Sequence, residues 1–311
     1  MDIEAEESMK KDHLFLAVCL ITCTTISSSF AKNQKLGEYA SVVAGATNNT
    51  VSLIRDKYIA VSSKDEADVI KSINVSVEPK NWDVYGTFAD ARNGRRVIHL
   101  PIGFVLAADY FDRMYVETGM KGKLADDNSI NAYRGYFFDN INVAFTKSAS
   151  GEYAPPIKYY CEYMGVSAAD CSAYRNATVG TYEGFKTGSL AFTIGHEIGH
   201  FVLNHVTPQQ NAAHRTQYQM ELEADKYAFR LMAKAGIDPG FAVAALSLFS
   251  TLVPKDIPQQ NILDTARPHP VCRISLATLA AADFRRRHHT DSERNISQYE
   301  ADAKRGVDTY C

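Results

Sequence analysis

Apolar residues recur at helical spacing over long stretches of this chain and alternate over one short stretch, which predicts helices around a small sheet. Residues 35–61 read as largely helical with a break near Asn48-Asn49-Thr50, and the polar run Ser62-Ser63-Lys64-Asp65 follows. From Trp82 the period shortens: Trp82, Val84 and Gly86 lead to Phe88, then Asn93-Gly94, then Arg95-Arg96-Val97-Ile98-His99-Leu100. Asn-Gly between two β-prone runs signals a hairpin, because both residues accept the positive φ of a tight turn. Helical spacing returns over 104–118 and stops at Gly119. Ser189 is an N-cap candidate for a helix reaching about His205. Residues 208–215 read as loop, and Thr216-Gln217-Tyr218-Gln219 as a capping box opening a helix that ends near Ala235, before Gly236. A further helix starts at Pro239 and runs to about 253. The last covers about 271–287, after Arg267-Pro268-His269-Pro270. Helices, a small antiparallel sheet, then helices make the class α+β and mainly helical.

Residues 120–185 show no repeat. They concentrate aromatics (Tyr133, Tyr136, Phe137, Phe138, Tyr159, Tyr160, Tyr163) and contain Pro155-Pro156. A helical insertion packed on the core accounts for them better than an aromatic binding groove, since such side chains mostly fill interiors.

Lys10-Lys11, the apolar run 14–26 and the triplet Ser29-Phe30-Ala31 read as a secretory signal peptide over residues 1–31, leaving 32–311 as a single domain. The apolar run is shorter than the about 20 residues a membrane helix needs, so no integral membrane segment is expected in the mature chain. Cleavage removes five acids and two lysines from the 36 and 33 of the whole chain, leaving 31 of each. That neutral balance gives no argument for nucleic acid or an anionic membrane surface, and Arg285-Arg286-Arg287-His288-His289 reads as a solvated helix end. Cys161, Cys171, Cys272 and Cys311 remain. An even count in an exported chain favours disulfides, and the expected pairs are Cys161 with Cys171 and Cys272 with Cys311.

Chemistry enters at His196-Glu197-Ile198-Gly199-His200, an HExxH motif within a helical run, and at Glu221-Leu222-Glu223-Ala224-Asp225 downstream. Four residues advance a helix by about 400°, so His196 and His200 share a face and Glu197 lies about 100° round. A catalytic zinc takes three protein ligands and keeps one position open. His196, His200 and Glu221 are the expected ligands of one zinc per chain. Asp225, one turn after Glu221, would accept a hydrogen bond from a ligand imidazole and fix its tautomer. Glu197 would be the general base for water acidified by the metal, and would return the proton to the departing amine. Gly199 costs a helix about 1 kcal/mol relative to alanine, which calls for close approach of a neighbouring helix or substrate backbone. His205, five beyond His200, lies about 140° off the metal face and reads as a packed or surface histidine. Leu203 and Val206 stand where the metzincin pattern demands glycine and a third histidine, so that pattern is excluded.

The two motifs, with Arg267-Pro268-His269-Pro270 and Arg273-Ile274, resemble the gluzincin metallopeptidases related to HtpX, the CAAX prenyl protease and the mitochondrial Oma-type protease. Soluble periplasmic BepA-type members are the most similar, over residues 180–285. The resemblance implies a zincin-like domain, Glu221 as third ligand, and His269 as a group near the metal that gates it or assists catalysis. From the residues alone, His269 reads equally as a surface-loop residue. The expected function is an exported, periplasmic or secreted zinc metalloendopeptidase acting on extended or unfolded polypeptide, in envelope protein quality control. Substrate would add beside the strand at 95–100. A chaperone-like or adaptor protein keeping the protease fold is the alternative, and a zinc hydrolase of non-peptide substrates a third reading.

Overall fold

The computed structural model describes residues 36–84, 87–92, 94–120, 127–150, 152, 157–206, 216–251 and 268–311. The expected signal peptide, Asn93, Pro155-Pro156, the loop 208–215, the end of the helix expected to reach 253, and Arg267 lie outside these residues.

Two helices, α1 (Leu36–Val61) and α2 (Lys64–Ser72), lead into strand β1 (Ile73–Glu78). The expected break in α1 is absent. Asn48 stays helical and turns its side chain outward from the helix to accept the Val77 backbone N–H at 3.1 Å, so its polar group docks the sheet instead of ending the helix. Strands β2 (Phe88–Arg92) and β3 (Arg95–Pro101) form the expected hairpin, with Gly94 at φ 72°. The order is β1-β3-β2, β2 antiparallel and β1 parallel to β3. The sheet is therefore mixed, not wholly antiparallel, and β3 has neighbours on both sides. Among the described residues the hairpin's edge strand is β2, which corrects the expectation that 95–100 receives substrate.

Helix α3 (Ile102–Glu117) leaves the sheet for the interior, followed by α4 (Asp127–Ala149), α5 (Tyr160–Tyr163) and α6 (Ala168–Ala177). The aromatics of this region do fill the interior. Tyr133, Phe137 and Tyr160 are fully buried, Tyr133 meets Tyr160 edge-on, and Phe137 meets Phe111 of α3 edge-on. A Cys161–Cys171 disulfide joins α5 to α6.

The central element is α7 (Val179–Val202), buried almost without interruption from Gly188 to Gly199. It starts ten residues before the expected cap at Ser189, whose hydroxyl instead donates to the buried Asp112 carboxylate of α3 at 2.7 Å. Against α7 pack α3, α8 (Gln217–Lys234), the 3₁₀ turn Pro239–Phe241 and α9 (Ala242–Thr251). The Thr216 capping box forms as expected. The chain ends in α10 (Pro270–His288) and α11 (Glu293–Tyr310), joined by a Cys272–Cys311 disulfide. Arg285, Arg286 and Arg287 of the basic run pair with Asp238, Glu300 and Asp283. No helix among the described residues is long and apolar enough to cross a membrane.

Asp112 is 2% exposed. Burial, reinforced by the charge on Asp109 and only partly offset by the Ser189 hydroxyl, pushes its carboxyl from 3.8 up to about 8. Because the folded-state value is raised, ionisation of Asp112 costs increasing stability as pH climbs from about 4 to about 8. Asp112→Asn keeps an acceptor for Ser189 without the charge. It is expected to raise Tm more at pH 9 than at pH 5, and an equal shift at both pH values would show that Asp112 is not held neutral.

Candidate metal centre

Helix α7 supplies His196, Glu197 and His200, and α8, crossing it, supplies Glu221 and Asp225. The two helices approach closely because Gly195 and Gly199 face Ala228 and Ala224: a Cβ at Gly199 would stand 3.2 Å from the Ala224 Cα. That contact is the reason expected for Gly199.

The Nε2 atoms of His196 and His200 lie 3.1 Å apart, and the Glu221 carboxylate lies 3.3 Å from one and 3.6 Å from the other. These three side chains bring their ligand atoms within 4.8 Å of one another and can hold a metal ion. The cluster shares charge unevenly. Burial opposes a charged His196, but hydrogen bonds to Asp225 and Glu221 prevail and push it up to about 10. Burial and the neighbouring His196 push His200 down to about 3. Despite burial, His196 holds the Glu221 carboxyl well below the usual carboxylate range. One part-buried carboxylate facing the Nε2 atoms of two imidazoles is a donor set that fits a divalent cation.

Both imidazoles are held from behind. His196 Nδ1 lies 2.9 Å from Asp225 Oδ1, and Asp225 is fully buried. Arg273 of α10 grips that carboxylate with two charge-assisted bonds, Nε to Oδ2 at 2.6 Å and Nη2 to Oδ1 at 2.7 Å. Burial would raise the Asp225 carboxyl, and Arg273 with His196 holds it down. His200 Nδ1 lies 3.1 Å from His205 Nδ1, and His205 Nε2 lies 3.1 Å from Glu223 Oε2.

Glu197, 6% exposed, accepts a hydrogen bond from the Thr87 hydroxyl at 2.9 Å. Burial pushes its carboxyl up, against the opposing effects of His196, of Thr87 and of the Ala89 backbone N–H. Thr87 and Ala89 flank the exposed Phe88 at the start of the edge strand β2, so the sheet edge and the glutamate adjoin. His269 caps α10 with its Nδ1 accepting the Val271 N–H, and its ring stacks on Tyr310 with centroids 4.5 Å apart. It is not one of the three groups that converge.

Sequence reasoning missed Thr87, the Arg273–Asp225 grip and the contact of His205 with His200. The only signal for the first was its place before the hairpin, and for the second the Arg-Ile dipeptide of the resemblance.

No curated protein and no solved structure matches the chain. A family model described as peptidase U49 matches residues 120–260, a span that holds both HExxH and Glu221, and it indicates a peptidase.

Proposed function

We propose that this chain is an exported zinc metalloendopeptidase of gluzincin type that hydrolyses extended or unfolded polypeptide, with protein quality control in the cell envelope as its setting. The observation that carries the proposal is the convergence of His196, His200 and Glu221 beside the buried carboxylate of Glu197.

A zinc ion held there would polarise the scissile carbonyl and lower the pKa of water from about 15.7 toward about 7. His196 and His200 would bind through Nε2 and Glu221 through its carboxylate, with Asp225 keeping the His196 proton on Nδ1. Glu197, raised by burial, takes a proton from the attacking water and delivers it to the leaving nitrogen. Thr87 donates to one of its oxygens and so orients the carboxylate. Main-chain pairing along β2, the edge strand, would hold an extended substrate across the site without demanding a particular sequence. We assign residues 1–31 as the signal peptide, 32–311 as the enzyme domain, and the periplasm or the exterior as its location. Two disulfides are compatible with that location.

The test is metal analysis of the purified mature chain, followed by incubation with unfolded casein before and after chelation. Stoichiometric zinc and chelator-sensitive cleavage are expected. A folded, zinc-loaded chain that leaves casein intact would exclude the endopeptidase.

A further inference from the structure

His205 lies outside both motifs, and Glu223 lies within the second without being one of its expected metal-site residues. If α7 continued past Val202, His205 would face away from the ligands. It does not continue. Leu203 caps the helix, and Asn204 takes the left-handed conformation at φ 59°. The Asn204 N–H bonds the Phe201 carbonyl at 3.2 Å, and the His205 N–H bonds the His200 carbonyl at 2.8 Å. This is the Schellman pattern, in which the second residue beyond the cap folds back over the residue three before it. A hydrophobic pair usually fills that contact. Here two imidazoles fill it, with Nδ1 atoms 3.1 Å apart and ring planes at 68°.

The hydrogen-bond chain has only one self-consistent assignment. Nε2 of His200 faces Glu221 and the His196 Nε2, so as a ligand it must be unprotonated and its proton must sit on Nδ1. That N–H can donate only if His205 Nδ1 accepts. The His205 proton then sits on Nε2, 3.1 Å from Glu223 Oε2, where a carboxylate is the acceptor needed. The other tautomer of His205 would turn a lone pair toward that carboxylate and an N–H toward another N–H.

We propose that His205 and Glu223 form a relay that fixes the tautomer and orientation of His200, and so sets how tightly the site holds its metal. The inference rests on the metal-site reading above. His196 and His200 are thereby supported differently: one by a buried carboxylate clamped by Arg273, the other through an imidazole to a carboxylate that is 40% exposed. Both are positioning devices, since neither His205 nor Glu223 is among the three converging ligands.

The experiment measures zinc affinity of the full mature chain by competition with a chromophoric chelator, with thermal unfolding run in parallel. His205→Leu removes the acceptor for His200, and Glu223→Met removes the acceptor for His205. Each is expected to weaken zinc binding by about 10–100-fold. His205→Asn and Glu223→Gln keep an acceptor oxygen, and each should lie closer to wild type than its apolar counterpart. The glutamate pair decides the matter if His205→Leu does not fold, because Glu223 is partly exposed. Wild-type chain that binds zinc, together with a Glu223→Met variant within twofold of it, would overturn the relay alone. A folded wild-type chain without zinc affinity would overturn the metal site, and the relay with it.

Discussion

Glu197→Gln is expected to lower casein hydrolysis by about 10²–10⁴-fold while leaving zinc content unchanged. The amide keeps the shape of the side chain and an oxygen for the Thr87 hydroxyl, so the 2.9 Å contact and the packing of β2 on α7 persist. What it loses is the lone pair that takes up a proton. A glutamine in the protein interior neither accepts that proton nor returns one to the leaving nitrogen, while the ligand atoms of His196 and His200 on α7 and of Glu221 on α8 are all retained. The informative measurement pairs kcat/KM on a peptide substrate with zinc stoichiometry in one preparation. Equal loss in kcat and kcat/KM with intact zinc would mark a group acting in the transition state. Wild-type turnover in the variant would remove Glu197 from the chemistry. Persistence of a biological effect with the variant would favour the adaptor reading over catalysis.

What was legible in the sequence was what is local. HExxH, the Glu221–Asp225 turn and the Thr216 capping box each lie within one or two helical turns, where spacing alone determines which side chains share a face. The hairpin was legible through one dipeptide. Strand β1 was not, because it follows α2 without a turn residue and pairs parallel to a strand more than twenty residues downstream. Helix α11 escaped notice for a different reason: Ile296, Tyr299, Ala303 and Val307 do keep helical spacing, but they stand in a predominantly polar segment of which only Ile296 and Ala303 are buried. Ser189 misled because a serine before an apolar run serves equally as a cap or as the partner of a buried carboxyl, and Asp112 is far away in sequence. His205 shows the limit most clearly. The helical angle that places His196 and His200 on one face puts His205 off it, yet a single left-handed residue at Asn204 reverses the answer.

Arg273→Met is expected to destabilise the fold by about 3–5 kcal/mol, the usual consequence of leaving one member of a buried ion pair alone. Asp225 has no solvent exposure and Arg273 only 8%, so the abandoned carboxylate gains little from water. His196 is its remaining partner of the hydrogen-bonded trio, and an imidazole supplies one bond where the guanidinium supplied two. Removing the charge as well, in Asp225→Asn with Arg273→Met, should recover much of the loss, because a neutral amide costs far less to bury than a carboxylate. Urea unfolding of the wild type, the single variant and the double variant measures this directly. A single variant within 1 kcal/mol of wild type would mean that the carboxylate finds another cation or takes up a proton at little cost. Stability and metal binding should separate in the double variant. Asparagine can still accept from His196 through its oxygen, but without the negative charge the imidazole becomes a weaker donor of its lone pair to zinc. Affinity should therefore stay below wild type even where the fold recovers. The arginine is thus expected to serve the metal indirectly, by letting a charged carboxylate exist in the interior where only a charged carboxylate strengthens the ligand.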